Sequence, residues 1–167
     1  MFKSNGNLYH FTMNIIEFCI LFILILTFPS STRQFPQGAP SDVCETFSPE
    51  RGHRARPSPI SEAPYQFIQY GRRYQRGQMM VVEILTKNND NDDNRDSEPI
   101  TFKGFIVQAL DPNTLKFIGR FMPGEGLNMM AECSAVTHQN NRLKTSATFL
   151  WMPPDDRNFG EVIFRYD

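Results

Sequence analysis

Six arginines lie close together in the first half of the chain, and arginine is a residue that binds phosphate. They fall within 26 residues that contain a single acid, Glu62: Arg51, Arg54, Arg56, Arg72, Arg73 and Arg76. Four aromatic residues are interleaved with them: Tyr65, Phe67, Tyr70 and Tyr74. A guanidinium grips phosphate through two parallel N–H donors, and aromatic rings offer apolar surface to sugars or acyl chains. This stretch predicts a binding surface, centred on the arginines with Tyr70 and Tyr74. The alternative is that the arginines only solvate a loop whose aromatics fill the core.

A short apolar run near the start, residues 18–26, is typical of a secretory signal peptide. It has about half the ~20 apolar residues that a membrane-spanning helix needs, and small residues follow it. We predict a signal peptide over residues 1–32, with Met13 as an alternative start, and a secreted, extracellular domain over residues 33–167. A signal anchor that stays in the membrane is the other interpretation of the run. The mature chain is not expected to span a membrane.

The number of cysteines also agrees with secretion. Cys19 lies in the predicted signal peptide, which leaves Cys44 and Cys133 as an even pair. In an oxidising compartment the simplest inference is that the two bond to each other. Two free or intermolecular thiols are the alternative.

The sequence contains no clear motif for a metal, catalytic, cofactor or nucleic-acid site. His53 and His138 have no Glu or Cys at ligand spacing, so no metal site is predicted, and a structural hydrogen-bonding role is favoured for His138. There is no serine in a nucleophile elbow and no phosphate-binding glycine loop, so no catalytic residue and no cofactor are predicted. The acidic insert at residues 88–98 lacks the glycine and the final glutamate of a calcium loop and is read as a solvated loop. The net charge of −1 argues against nucleic acid as a partner.

Short strands must position these residues. Alternation of apolar and polar side chains predicts strands at residues 65–70, 79–85, 101–110, 117–121, 134–138, 147–151 and 162–166. The proline-rich stretch at residues 35–64 predicts an extended arm without helix, pinned at Cys44. Strands at regular spacing with turn residues between them indicate an all-β sandwich.

Several short motifs, in order, resemble the reeler (reelin amino-terminal) domain family over about residues 37–167. The motifs are Gly38-Ala39-Pro40 before Cys44, then Pro49 and His53, Phe102-x-Gly104-Phe105 with Val107-Gln108-Ala109, Gly119 with Phe121, Cys133 with Val136-Thr137-His138, Phe149-x-Trp151 with Pro153, and Gly160 with Val162-x-Phe164. The resemblance implies an all-β, immunoglobulin-like antiparallel β-sandwich in which Cys44 and Cys133 are bridged. One departure is that the family's last strand is expected beyond Asp167.

The resemblance also implies a function. Small secreted arthropod defence proteins of this family are associated with bacterial surface lipids and glycans, such as lipopolysaccharide, and with haemocytes. The chain is therefore expected to be a secreted, non-enzymatic recognition protein of innate defence. The alternative is the extracellular reeler module of a ferric-chelate-reductase-like membrane oxidoreductase whose redox domains lie outside this chain. A third option is a fragment of a longer matrix or signalling protein such as reelin.

Overall fold

The predicted alternation of apolar and polar residues produces the strands of two antiparallel sheets. The structure, a computed structural model, describes residues 35–47, 58–87 and 98–167. Several features predicted from the sequence lie outside the described residues: the signal peptide at residues 1–32, residues 88–97 of the acidic insert, His53, Arg51, Arg54 and Arg56.

The described part of the chain forms short strands with little helix. The strands are β1 (Tyr65–Gln69), β2 (Arg73–Gln75), β3 (Met80–Thr86), β4 (Ile106–Leu110), β5 (Arg120–Phe121), β6 (Leu127–Met130), β7 (Ala135–His138), β8 (Ser146–Met152), β9 (Phe159–Glu161) and β10 (Ile163–Tyr166). Helix α1 spans Val43–Thr46, and single 3-10 turns occupy Ile60–Glu62 and Ala131–Cys133. The first sheet has the order β1-β3-β8-β5 and the second β10-β4-β7-β6, while β2 and β9 pair as a separate two-stranded ribbon.

The main core lies between the two sheets and is built around Trp151. Val82 on β3 lies opposite Phe149 on β8, and both side chains are buried. Trp151 contacts Phe164 of the second sheet with ring centroids 5.6 Å apart, and its Nε1 donates to the carbonyl of Ile118 at 3.2 Å. Buried polar groups need such a partner, and this one fixes the orientation of the ring. The predicted immunoglobulin-like β-sandwich is confirmed.

The second sheet is covered on its outer face as well, because the arm at residues 35–47 packs against it. A small cluster of Cys44, Ile106, Met130, Cys133 and Ala135 is buried there. A disulfide joins Cys44 to Cys133 with their Cα atoms 5.7 Å apart, which confirms the predicted pairing and rules out free thiols at these positions. All five residues of β4 are consequently buried.

Polar contacts tie the arm to β4 and β7. The Ala39 N–H donates to Thr137 Oγ1 at 3.0 Å, and Thr137 Oγ1 donates to the Phe105 carbonyl at 2.8 Å. His138 Nδ1 lies 3.2 Å from the Phe105 N–H, which it accepts, and Nε2 lies 3.0 Å from the Phe35 carbonyl, to which it donates. His138 therefore has the structural role that the sequence favoured.

Three expectations about the elements need correction. The arm is not free of helix, because the proline-free segment after Pro40 forms α1. The strand expected from residue 101 begins at Ile106, since Phe102 makes only an isolated bridge to Lys144. The strand expected over residues 117–121 is reduced to β5, because Gly119 adopts a positive φ of 64° that interrupts an extended backbone.

Candidate functional site

Of the arginines predicted to bind a ligand, the three that the structure describes, Arg72, Arg73 and Arg76, lie on a hairpin at one end of the sandwich. Residues 70–79 connect β1 to β3, and their central part, β2, pairs with β9. Gly77 has a φ of 78°, the left-handed conformation that a tight turn requires after Arg76, and the Gln78 N–H closes the turn on the Gln75 carbonyl at 3.0 Å. We call this segment, residues 70–79, the arginine hairpin.

Two further segments meet the arginine hairpin at this end. The turn at residues 111–117 follows β4, and residues 153–161 run from the end of β8 through β9. Arg157 Nη1 donates to Asp111 Oδ2 at 2.8 Å, which joins these two segments. We call the end formed by residues 70–79, 111–117 and 153–161 the ribbon end. Loops at one end of a β-sandwich are a common place for binding surfaces, because a rigid scaffold holds them.

The arginines of the hairpin differ in their partners. Arg72, Arg73 and Arg76 are all exposed. Arg73 Nε lies 3.4 Å from Glu161 Oε1 on the opposite strand. Among the described residues, no acidic side chain lies within ion-pair distance of Arg72 or Arg76. These two guanidinium groups are therefore available to an anion that approaches from solvent.

The two tyrosines predicted for the binding surface have different environments. Tyr70 is 70% exposed, and its hydroxyl lies 3.5 Å from Glu83 Oε2. Tyr74 is only 4% exposed and packs edge-on against Trp151 with ring centroids 5.4 Å apart. Burial raises the pKa of its hydroxyl. The prediction that Tyr74 contacts a ligand is therefore corrected, because alternation along β2 turns this ring inward.

The ribbon end also carries exposed apolar side chains, which were not among the predicted binding residues. Phe159 lies opposite Gln75 on the ribbon and is 80% exposed. Leu115, at the tip of the turn after β4, is 64% exposed, and Phe117 is also exposed. A signal for Phe159 was present in the sequence. Counting back by two from the buried Val162 places Gly160 inward and therefore Phe159 and Glu161 outward.

Asp111 holds the turn of the ribbon end together. Its Oδ1 accepts the N–H groups of Asn113 at 2.9 Å and Thr114 at 3.1 Å, and its Oδ2 accepts Arg157. The hydrogen bond from Asn113, followed by that from Arg157, lowers the pKa of this carboxyl below its ordinary value of 3.8. The ionised form is the one that the folded state favours.

A pH dependence follows from Asp111. Because its pKa is lower in the folded state, its contribution to stability is complete above pH 3.8 and is lost as the pH falls below that value towards the folded pKa. We expect Asp111→Asn to lower the Tm at neutral pH and to flatten the acid side of a plot of Tm against pH. Thermal unfolding followed by circular dichroism measures both. Asp155→Asn, at an exposed carboxylate of the same end, is the matched control. Equal acid slopes for Asp111→Asn and the wild type would contradict the assignment.

The described residues show no second kind of site. Within residues 35–47, 58–87 and 98–167, no three histidine, cysteine, aspartate or glutamate side chains come together in a way that could hold a metal ion. In those same ranges no helix has both the length and the apolar character needed to cross a membrane.

Comparison with known proteins places the sequence among relatives with one shared domain. The model of the Reeler domain family matches residues 42–167. The protein called "Putative defense protein 3" of Antheraea mylitta is 29% identical over 137 residues, which cover 80% of this chain and 75% of that protein. "Putative ferric-chelate reductase 1 homolog" of Drosophila melanogaster is 24% identical over 149 residues, which cover 85% of this chain but only 22% of that protein.

Solved structures of the same domain are also similar. The human F-spondin reeler domain is 22% identical with a TM-score of 0.47, over 62% of this chain and 74% of that one. The Reelin-N domain of F-spondin is 22% identical with a TM-score of 0.48, over 68% of this chain and 76% of that one.

Proposed function

The chain belongs to the reeler domain family, and from this premise we propose that it is a secreted, non-enzymatic recognition protein of innate defence. Its ligands are bacterial surface components that carry phosphate, such as lipopolysaccharide. A relative named as a defence protein, aligned over four-fifths of this chain, supports the defence role. The sandwich, which a buried disulfide joins to residues 35–47, holds exposed loops at one end, and such loops on a rigid scaffold suit a recognition role.

The observation that carries the proposal is the exposure of Arg72 and Arg76 on the arginine hairpin. Neither guanidinium has an acidic partner among the described residues, and Tyr70 lies on the same hairpin. Arginine binds phosphate through paired N–H donors, so unpaired arginines on a fixed hairpin suit a surface dense in phosphate groups. Arg51, Arg54 and Arg56 remain predicted members of this surface from the sequence.

Binding of the oxidised protein to lipopolysaccharide and to whole bacteria, measured across a salt series, tests the proposal. We expect saturable binding that weakens as the salt concentration rises, because exposed charges are screened within about 10 Å at 0.1 M salt. Absence of binding by folded protein to both probes would overturn it.

Charge reversal of the hairpin is expected to weaken this binding. Arg72→Glu with Arg76→Glu is a better test than a pair that includes Arg73, because a glutamate at that position would repel Glu161. Each arginine near an anionic surface contributes about 1 kcal/mol, so the double variant should bind at least about 30-fold more weakly at low salt. Titration of lipopolysaccharide into each protein measures the change.

The matched control reverses two exposed cations at the other end of the sandwich, Lys103→Glu with Arg142→Glu. This control has the same net charge as the hairpin variant but leaves the ribbon end intact. Equal losses in the two variants would show that only net charge matters and that the hairpin is not the binding surface.

A second candidate function comes from the match to the ferric-chelate reductase homologue. In that case the domain would be the extracellular module of a membrane oxidoreductase, since it spans 22% of that protein's length. The full transcript distinguishes the two functions. Membrane-spanning segments encoded downstream of residue 167 would favour the reductase, and a stop codon soon after it would favour the defence protein.

A further inference from the structure

Phe159 is the most exposed large apolar side chain at the ribbon end. It is 80% exposed on the outward face of the ribbon, where its neighbour across the strands is Gln75. A phenylalanine held on paired strands loses little conformational freedom when it inserts into an apolar phase. Exposed rings of this kind next to cations are typical of proteins that bind at the surface of a membrane.

Leu115 is a second exposed apolar residue at the same end, and its backbone is strained. It has a φ of 55°, a conformation that non-glycine residues adopt at a cost, and its N–H closes the turn on the Asp111 carbonyl at 2.8 Å. Asparagine or glycine would be the easier choice for that backbone. A bulky apolar side chain thus occupies an exposed position where the backbone disfavours it.

The ion pairs of the ribbon end hold Phe159 and Leu115 on connected segments. Arg157 lies two residues before Phe159 and bonds to Asp111, four residues before Leu115. The buried carboxylate of Asp111 therefore joins the segment that carries Leu115 to the segment that carries Phe159.

The ribbon end carries five cations and four acids, which gives it a net charge of +1. Each acid of the ribbon end has an arginine partner: Glu161 with Arg73, Asp155 with Arg120, and both Asp111 and Asp156 with Arg157. Arg72, Arg76 and Lys116 have no acidic partner within ion-pair distance among the described residues. Phe159 and Leu115 thus share the ribbon end with three cations that have no acidic partner in the described part of the chain, which suits an anionic lipid surface better than a neutral protein surface.

We propose, building on the function proposed above, that the ribbon end binds a packed anionic lipid layer by inserting Phe159 and Leu115 between the acyl chains while Arg72, Arg76 and Lys116 contact the phosphates. The ligand is then the lipid surface itself and not its headgroup in solution. Removing one fully inserted apolar side chain should weaken binding about ten-fold or more.

Vesicle binding by the oxidised protein in its secreted form, without residues 1–32, tests this surface, because the apolar run at residues 18–26 would itself insert into vesicles. The probes are vesicles of phosphatidylglycerol with phosphatidylethanolamine, vesicles of phosphatidylcholine, and soluble polyphosphate, which has phosphate but no acyl chains. We expect binding to the anionic vesicles, and much weaker binding to the other two. Binding to polyphosphate as tight as to anionic vesicles would overturn insertion and leave a headgroup site.

Two variants and one control locate the insertion. Phe159→Ser and Leu115→Asn should each weaken binding to anionic vesicles about ten-fold or more, while Leu143→Ser should leave it unchanged. Leu143 is a fair control because it is 65% exposed, beside Lys144 at the opposite end of the sandwich. Leu115→Asn also suits the strained backbone, so its Tm should not fall, and a loss of binding cannot then be ascribed to unfolding.

A fluorescent residue reports insertion directly. The chain has a single tryptophan, Trp151, which is fully buried and gives a constant background. Phe159→Trp should shift its emission to shorter wavelength with anionic vesicles and be quenched by brominated acyl chains, whereas Leu143→Trp should show neither effect. Wild-type binding together with unchanged Phe159→Ser and unshifted Phe159→Trp would overturn the insertion but leave the arginine surface standing. A wild type that binds no anionic vesicle and no lipopolysaccharide would overturn both.

Discussion

Replacing Cys44 and Cys133 together by alanine is expected to lower the free energy of unfolding by about 4 kcal/mol. The disulfide closes a loop between residues 89 positions apart in the sequence, so its loss greatly enlarges the conformational freedom of the unfolded chain. The native contacts of the bond are lost as well, since both cysteines are buried against Ile106, Met130 and Ala135. Unfolding by urea, followed by circular dichroism, measures the change.

The same substitution should release the arm locally. Without the disulfide, residues 35–47 keep a few polar contacts with the second sheet, such as that between Ala39 and Thr137, the stacking of Arg165 on Phe47 at 4.1 Å, and the apolar packing of partly buried side chains such as Val43. We expect faster cleavage of the arm by protease and faster hydrogen exchange in β4 and β7, with the interior around Trp151 little changed. The double alanine variant is preferred because a single substitution leaves a reactive thiol.

One result would contradict this account of the arm. A loss below about 1 kcal/mol, with unchanged protease resistance, would mean that non-covalent packing alone fixes the arm and that the disulfide contributes little. Insertion of Phe159 and Leu115 into anionic vesicles should be retained in either case, because residues 35–47 pack on the outer face of the second sheet and not at the ribbon end.

The sequence predicted the first sheet better than the second, and burial explains the difference. In β8, Phe149 and Trp151 alternate with exposed residues because only one face of that sheet is covered. In β6, Met129 packs against the main core and Met130 against the cluster under the arm, so both faces are apolar and alternation disappears. Strand β6 therefore could not be predicted from an alternation of apolar and polar residues.

The candidate site was predicted only in part, for a similar reason. Exposure of the arginines followed from their charge, which a core cannot accommodate. The two-stranded ribbon could not be predicted from the sequence, because β2 and β9 have three residues each and pair across a long sequence separation. Without that pairing, Tyr74 could not be assigned to the interior, although alternation before Val162 already placed Phe159 outward.

Gly119→Ala is expected to be among the most destabilising single substitutions in the described part of the chain, with a loss of about 2–5 kcal/mol. Two effects add. The backbone has a φ of 64°, which costs a residue with a Cβ about 1–2 kcal/mol. A Cβ at this position would also lie 2.5 Å from the Met152 carbonyl oxygen and 2.5 Å from Cζ2 of Trp151. Neither neighbour can yield, since one is backbone and the other is a buried ring.

Gly77→Ala separates these two effects. Gly77 has a φ of 78°, but a Cβ there would meet nothing within 4 Å, so this variant carries the backbone cost alone. We expect it to lose about 1–2 kcal/mol. Urea unfolding followed through the fluorescence of Trp151 compares the two variants, and near-ultraviolet circular dichroism reports whether the indole keeps its environment. Equal losses would show that contact with Trp151 is not what demands glycine at 119. A larger loss for Gly119→Ala, with an altered tryptophan signal, would establish that the core needs the close approach of this backbone to the Trp151 ring. Because Trp151 lies near the end of β8, the same approach would also help to position the following segment, which carries Phe159.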